Sequence, residues 1–216
     1  MKRVAIIDYH LGNLFSVVQA CKKVGLDIEL CSDSSLLEKF DGFILPGVGS
    51  FKDAMSYLQT SGLDKALIQE LKKGKPLFGI CLGLQLLFDQ SEEFGLSKGL
   101  GIIPGSVKKF SGFDYNGKKI RVPNIGWNKF YFNPLRSEKI SPLDTLADSV
   151  YCYFVHSYYV VPDVQEIALT YTEYESIKYA SSIQYKNVFA TQFHPEKSGI
   201  DGLEIYRNWG NINNLI

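Results

Sequence analysis

Residues 77–88 read LFGICLGLQLLF. PLFGI (76–80) is an apolar run of strand length, LGLQLLF (82–88) has the apolar spacing of a helix, and no linker separates the two. A strand that runs straight into a helix is the building unit of an α/β fold. The bend falls on Gly79-Ile80-Cys81-Leu82-Gly83, a cysteine flanked two residues away on each side by glycine. This G-x-C-x-G has the form of a nucleophile elbow, in which serine usually fills the central place. A residue on so tight a turn takes strained backbone angles, and side chains at the flanking positions would collide, so those positions must be small. The sulfur then projects at a helix start, where unpaired N–H groups favour thiolate. The Leu82 N–H points the same way and is a candidate oxyanion donor. The pentapeptide alone also fits a buried cysteine between packing glycines; its strand–helix context favours the nucleophile.

Outward from this bend, the first half repeats the same alternation. VAIID (4–8), IELC (28–31) and GFILP (42–46) read as buried strands. Residues 13–24 carry Leu14, Val17, Val18, Cys21 and Val24 on one helical face, and residues 50–73 give two helices broken near Ser61-Gly62. Such alternation predicts a parallel sheet with helices on both faces and a crevice at the carboxyl ends of its strands. The second half differs. GIIPGSVKKF, KKIRVPNIGWNKFYF, VYCYFVHSYYVV, IALTYT, KYASSIQY and VFATQF read as strands joined by turns, and a helix over about 200–213 closes the chain. No repeat or linker divides it, so residues 1–216 are expected to form one domain.

Composition narrows the function. Lys plus Arg (23) equals Asp plus Glu (23), so there is no basic field of the kind that general nucleic-acid binding needs. No apolar stretch approaches the ~20 residues of a membrane span, and the run Val4–Ile7 is too short for a signal peptide. Four cysteines (Cys21, Cys31, Cys81, Cys152) are scattered without a CxxC pair or a histidine at metal-ligand spacing. The pattern fits a reduced, cytoplasmic protein with no metal and no cofactor.

A thiol nucleophile needs a base, and the base needs a group that orients it. His194-Pro195-Glu196 follows the strand VFATQF, and its two ionisable residues, two apart, face one side in extended chain. His194 with Glu196 is therefore the preferred base over His156 and His10, since a lone histidine beside aromatics more often fills a structural role. ILPGVGSF (44–51) places Gly47, Val48 and Gly49 on the sheet edge that carries Cys81, where backbone N–H groups can meet developing negative charge. Read alone, it is equally a tight turn.

Taken together, ILPGVGSF, GICLGLQLLF and QFHPEKS resemble the class I glutamine amidotransferases. IDYHLGNLFSV, PNIGWN (123–128) and YFVHSYYV (153–160) extend the resemblance to their glutaminase subunits of imidazole glycerol phosphate synthase, over about residues 4–200. The resemblance implies a three-layer α/β/α fold, with a mostly parallel central sheet and an added antiparallel portion from the second half. It implies that Cys81, His194 and Glu196 hydrolyse L-glutamine and that Gly47, Val48, Gly49 and Leu82 form an oxyanion hole. Gln85, with His156, Ser157 and Tyr158, would bind glutamine. Asn13, Trp127, Tyr158 and Lys197 would face a (β/α)8-barrel cyclase that receives the ammonia as the other half of a heterodimer. Against the usual pattern, His10 stands where glycine is common, Asn124 where histidine is common, and Tyr174-Glu175 replaces Tyr-Gly. His10 and Asn124 lie in segments expected to face the partner. A paralogous group that supplies ammonia for amidino-sugar synthesis in bacterial surface polysaccharides is the alternative.

Overall fold

The computed structural model describes residues 2–114, 116–137 and 140–216. Its large sheet begins with β1 (Arg3–Ile7), β2 (Asp27–Cys31), β3 (Gly42–Leu45) and β4 (Leu77–Ile80). A smaller sheet takes β5 (Phe88–Ser91), β6 (Ser97–Lys98), β7 (Ile103–Lys109) and β10 (Tyr158–Pro162). The large sheet is completed by β8 (Asn124–Phe132), β9 (Ser149–His156), β11 (Ala168–Tyr174), β12 (Ile177–Tyr185) and β13 (Val188–Thr191). Among the described residues its order is β2-β1-β3-β4-β13-β12-β11-β8-β9. The four pairings from β2 to β13 are parallel and the four from β13 to β9 antiparallel, so the antiparallel part is as wide as the parallel part.

The helices are α1 (Leu14–Val24), α2 (Phe51–Thr60), α3 (Leu63–Lys72), α4 (Leu82–Leu86) and α5 (Gly199–Ile212). Strands buried on both faces divide their side chains between two cores. Ala5 and Ile7 of β1, Phe43 and Leu45 of β3, and Leu77 of β4 join the core under α2 and α3. Val4, Ile6, Ile44, Phe78 and Ile80 join the core under α1 and α5, where the Phe78 ring meets Phe189, Tyr206 and Trp209. That division produces the three layers. The expected face of α1 is seen: Val17, Cys21 and Val24 are buried, and Gly25 closes the helix in the left-handed conformation (φ 92°). None of the described helices is long and apolar enough to cross a membrane.

Three features differ from the sequence expectation. Helix α4 stops at Leu86 rather than 88, because Phe88 already pairs with Ile103 in the smaller sheet. The run VYCYFVHSYYVV is two strands, with the chain leaving the large sheet at Ser157 and entering the smaller one at Tyr158. Glu175 and Ser176 form the tight β11–β12 turn with φ of 46° and 68°, a left-handed conformation that explains why glycine suits this place.

Candidate active site

The strands β1, β3, β4 and β13 are neighbours and parallel, so the segments that follow them converge on one edge. These segments are residues 8–13, the loop Pro46–Gly49, Cys81, and the turn that holds His194. Cys81 sits at φ 54°, ψ −105°, and its N–H donates to the Thr191 carbonyl at 2.7 Å. The bend is therefore strained and tied to β13. The two flanking glycines have different reasons. A Cβ on Gly83 would lie 1.7 Å from the Leu45 carbonyl oxygen, whereas one on Gly79 would press on Ala190 and Leu87 at 3.1 Å. Gly83 is the strict requirement, because α4 crosses directly over the end of β3.

His194 Nδ1 lies 2.7 Å from Glu196 Oε1, with both side chains almost fully buried (3% and 2% exposed). They meet through the turn Pro195–Lys197 rather than along an extended strand. Ser198 holds that turn: its Oγ donates to the His194 carbonyl and accepts from the Tyr153 N–H, and the His194 N–H donates to the Tyr153 carbonyl. The buried Nε2 of His194 makes no hydrogen bond of ordinary length among the described residues, and the group facing it is the Cys81 sulfur. Burial alone would lower the imidazole's proton affinity. The negative charge of an ionised Cys81, a hydrogen bond to its sulfur, and Glu196 outweigh that and raise its pKa to about 10. His194 is thereby held as an imidazolium facing the sulfur. Away from this edge, burial pushes the Cys21 and Cys152 thiols up to about 12 and raises Cys31.

A cavity of about 290 Å³ opens on Cys81 and is lined by Val48, Gly49, Gln85, Glu93, His156 and Tyr158, among others. Gln85 is buried; its Nε2 donates to the Tyr158 carbonyl (2.9 Å) and to Gln192 Oε1 (3.2 Å), which leaves its oxygen as the acceptor. Glu93 and Gln192 were not found by sequence reasoning. Glu93 accepts from the Phe51 N–H with one oxygen and presents a carboxylate to the cavity, where an α-ammonium group would suit it. Nothing in SEEFG sets that carboxylate apart from a solvated one. Gln192 donates from Nε2 to Cys81 Sγ at 3.6 Å.

The Leu82 N–H, expected as an oxyanion donor, instead donates to the Gly47 carbonyl at 3.3 Å. Upstream, the buried Tyr9 hydroxyl donates to the Pro46 carbonyl at 2.6 Å. Tyr9 also fills the space a Gly47 Cβ would need, 1.9 Å from that position. The loop is pinned at Pro46, and from Gly47 onward it has glycine freedom on both sides of the half-exposed Val48, with Gly49 at φ 105°.

His156 lines the cavity but does not pair with Cys81 as a base. Its Nδ1 donates to the Tyr158 carbonyl (2.8 Å), and its Nε2 lies 3.2 Å from the Tyr179 hydroxyl and 3.4 Å from Asn124 Nδ2. Asn124, expected to face a partner, is buried (1% exposed) and also accepts from Asn128. Its side chain points into the β8–β9–β12 polar cluster. Ser157 bridges the two sheets and accepts the Phe110 N–H. His10 is exposed at φ 63° against the Tyr57 ring. Trp127 (54% exposed) and the Lys197 ammonium both pack on the Tyr153 ring, at 6.1 and 5.6 Å. Asn13, at the start of α1, is bonded to Ser16.

Comparison with known proteins fits this geometry. Residues 5–209 match the family model "Glutamine amidotransferase class-I". The imidazole glycerol phosphate synthase subunit HisH of Geobacillus thermodenitrificans is 43% identical over 212 residues, 98% of this chain and 97% of the relative. That of Moorella thermoacetica is 44% identical over 212 residues, 98% and 96% of the two chains. Among solved structures, PurLQS from Thermotoga maritima superposes with a TM-score of 0.74 at 16% identity, covering 98% of each chain. A glutamine amidotransferase crystal structure gives 0.71 at 17% identity, again covering 98% of each chain. The structures speak to the fold alone.

Proposed function

The chain belongs to the class-I glutamine amidotransferases, among the HisH subunits of imidazole glycerol phosphate synthase, and from that premise we propose how its residues work. The protein is the glutaminase of that synthase in histidine biosynthesis: L-glutamine and water give L-glutamate and ammonia. The relatives favour this pathway over amidino-sugar synthesis. The observation that carries the catalytic reading is the buried Cys81–His194–Glu196 constellation on a strained bend.

The Cys81 thiolate attacks the side-chain amide carbon, forming a C–S bond and an oxyanion. The His194 imidazolium, oriented by Glu196, protonates the amide nitrogen, the C–N bond breaks and ammonia leaves. His194, now neutral, takes a proton from water, whose oxygen attacks the thioester; glutamate leaves and Cys81 is restored. Gln85 and Glu93 hold the α-amino-acid end, with the strand crossing His156–Ser157–Tyr158 as the wall. Because Gly47 holds the Leu82 N–H, the oxyanion hole formed by Leu82 and the Gly47-Val48-Gly49 loop is closed in this conformation. Rotation of the Gly47–Val48 peptide would free the Leu82 donor and turn the Val48 N–H inward, which a partner can drive by favouring the rotated loop.

That partner is a (β/α)8-barrel cyclase, which uses ammonia to form imidazole glycerol phosphate and an aminoimidazole carboxamide ribotide. Free ammonia is mostly protonated near neutral pH, so a closed heterodimer that passes it on uncharged serves the second reaction. Exposed Trp127 and Lys197, gathered on Tyr153, together with Asn13 and Tyr158, make up the docking face. The whole chain acts as one domain, in the cytoplasm, where its four free thiols stay reduced. The test is genetic. Expression should restore growth without histidine to a bacterium lacking this subunit on glutamine as nitrogen donor, and failure of a well-expressed protein to do so alongside a matched cyclase would contradict the assignment.

A further inference from the structure

Among the groups that touch the sulfur, one amide has no place in the triad. The Gln192 side chain is fully buried, one residue beyond β13, and its backbone N–H is held by the Ser181 carbonyl (2.8 Å). Its Nε2 donates to Cys81 Sγ (3.6 Å) and its Oε1 accepts from Gln85 Nε2 (3.2 Å). Gln85 gives its other proton to the Tyr158 carbonyl (2.9 Å). An unbroken donor–acceptor chain therefore runs from the cavity wall through two glutamines to the nucleophile. Both amides are oriented by it, since each carbonyl in the chain can only accept.

From this geometry, and resting on the glutaminase reading, we infer that Gln192 is a further catalytic residue: its N–H donates to the Cys81 thiolate, steadies it in line for attack, and couples it to Gln85. A hydrogen bond to a charged acceptor in a buried site is among the stronger ones. The role differs from that of His194, which exchanges a proton with the reacting atoms. Gln192 exchanges none; its bond weakens only as the sulfur becomes a neutral thioester. The bond strengthens again as the sulfur regains its charge, which helps the thiolate leave when the tetrahedral adduct formed by water collapses to glutamate, so Gln192 favours the free enzyme over a stalled acyl-enzyme.

The experiment compares Gln192→Met and Gln85→Met, both near-isosteric, in the complex with the barrel subunit. Iodoacetamide, neutral and small, probes the sulfur without using the glutamine pocket. For Gln192→Met, alkylation of Cys81 at pH 7.5 is expected to slow about tenfold and kcat to fall by at least that factor, with KM for glutamine within threefold. For Gln85→Met, which removes only the donor that orients the Gln192 amide, alkylation slows less than in Gln192→Met while KM rises about tenfold or more. Parent-like alkylation and kcat in Gln192→Met, or a change confined to KM, would overturn the proposal. Should Gln192→Met fail to fold, Gln192→Leu and Gln192→Asn, the latter an amide one methylene too short to reach the sulfur, carry the same test. A parent protein whose Cys81 resists iodoacetamide and which makes no glutamate would instead contradict the glutaminase reading itself.

Discussion

Cys81→Ala is expected to lower glutamine hydrolysis by about 10⁴-fold or more, as removal of a catalytic nucleophile does, while leaving the fold and the docking face in place. The structural side follows from the bonds that the residue makes. The anchor of the bend is its backbone, through the N–H to the Thr191 carbonyl, and that bond survives the change. Alanine also suffers at φ 54° no more than cysteine does, since both carry a Cβ. The catalytic side follows from the absence of a second thiol in the cavity lining among the described residues: the remaining cysteines lie in the cores with raised pKa values. Steady-state glutamate release by the variant, with and without the barrel subunit, checks the first half. Thermal unfolding and co-purification check the second. Turnover above one per cent of the parent would remove Cys81 from the mechanism.

Acidification is expected to cost the protein about 2–3 kcal/mol through a single histidine. Burial first, and the neighbouring His194 charge after it, hold His156 down to about 4, with its bond to the Tyr158 carbonyl only partly opposing them. In the unfolded chain an ordinary histidine titrates near 6.5. Below that pH the unfolded chain takes up a proton that the folded one refuses, so stability falls as pH drops. This contribution is complete above about pH 6.5 and is lost progressively down to about pH 4. Among the described residues no ion pair is available to soften the loss, because Asn124, Tyr179 and the Tyr158 carbonyl are the groups bonded to the ring. Denaturant unfolding at pH 7 and pH 4.5 measures it. The difference between the two pH values should shrink by about 2–3 kcal/mol in His156→Gln, an exchange that keeps a donor for Tyr158 and subtracts the carboxylates common to both proteins. An unchanged difference would mean that His156 is solvated.

The features that were readable from sequence are those whose cause is local. The bend at Cys81 announces itself because a strand, two glycines and a helix are contiguous, and His194 with Glu196 because two residues of separation suffice to join them. Placing both on one edge needed only the alternation that makes β1, β3 and β4 parallel. What stayed hidden depends on strand neighbours far apart in the chain. Gln192 lies in the same QFHPEKS motif as His194, yet its amide matters only because β13 pairs with β4 and brings it to Cys81. Asn124 looks like a surface residue in a polar stretch and is buried because Tyr179, on a strand two places away, supplies its partner. The β5–β6 pairing is too short to leave a periodic signal, and its loop carries Glu93 into the cavity. The bond from Leu82 to Gly47 is a loop conformation, which no residue pattern encodes.

The claim on which the rest stands is that Cys81 is the nucleophile for a glutamine-shaped substrate. Its most direct measurement is peptide mass spectrometry after incubating the complex with a chloroketone analogue of glutamine. One covalent adduct is expected, on Cys81, suppressed by excess L-glutamine and absent from Cys81→Ala. Labelling of Cys21, Cys31 or Cys152 instead, or labelling of Cys81 that glutamine leaves unchanged, would contradict it.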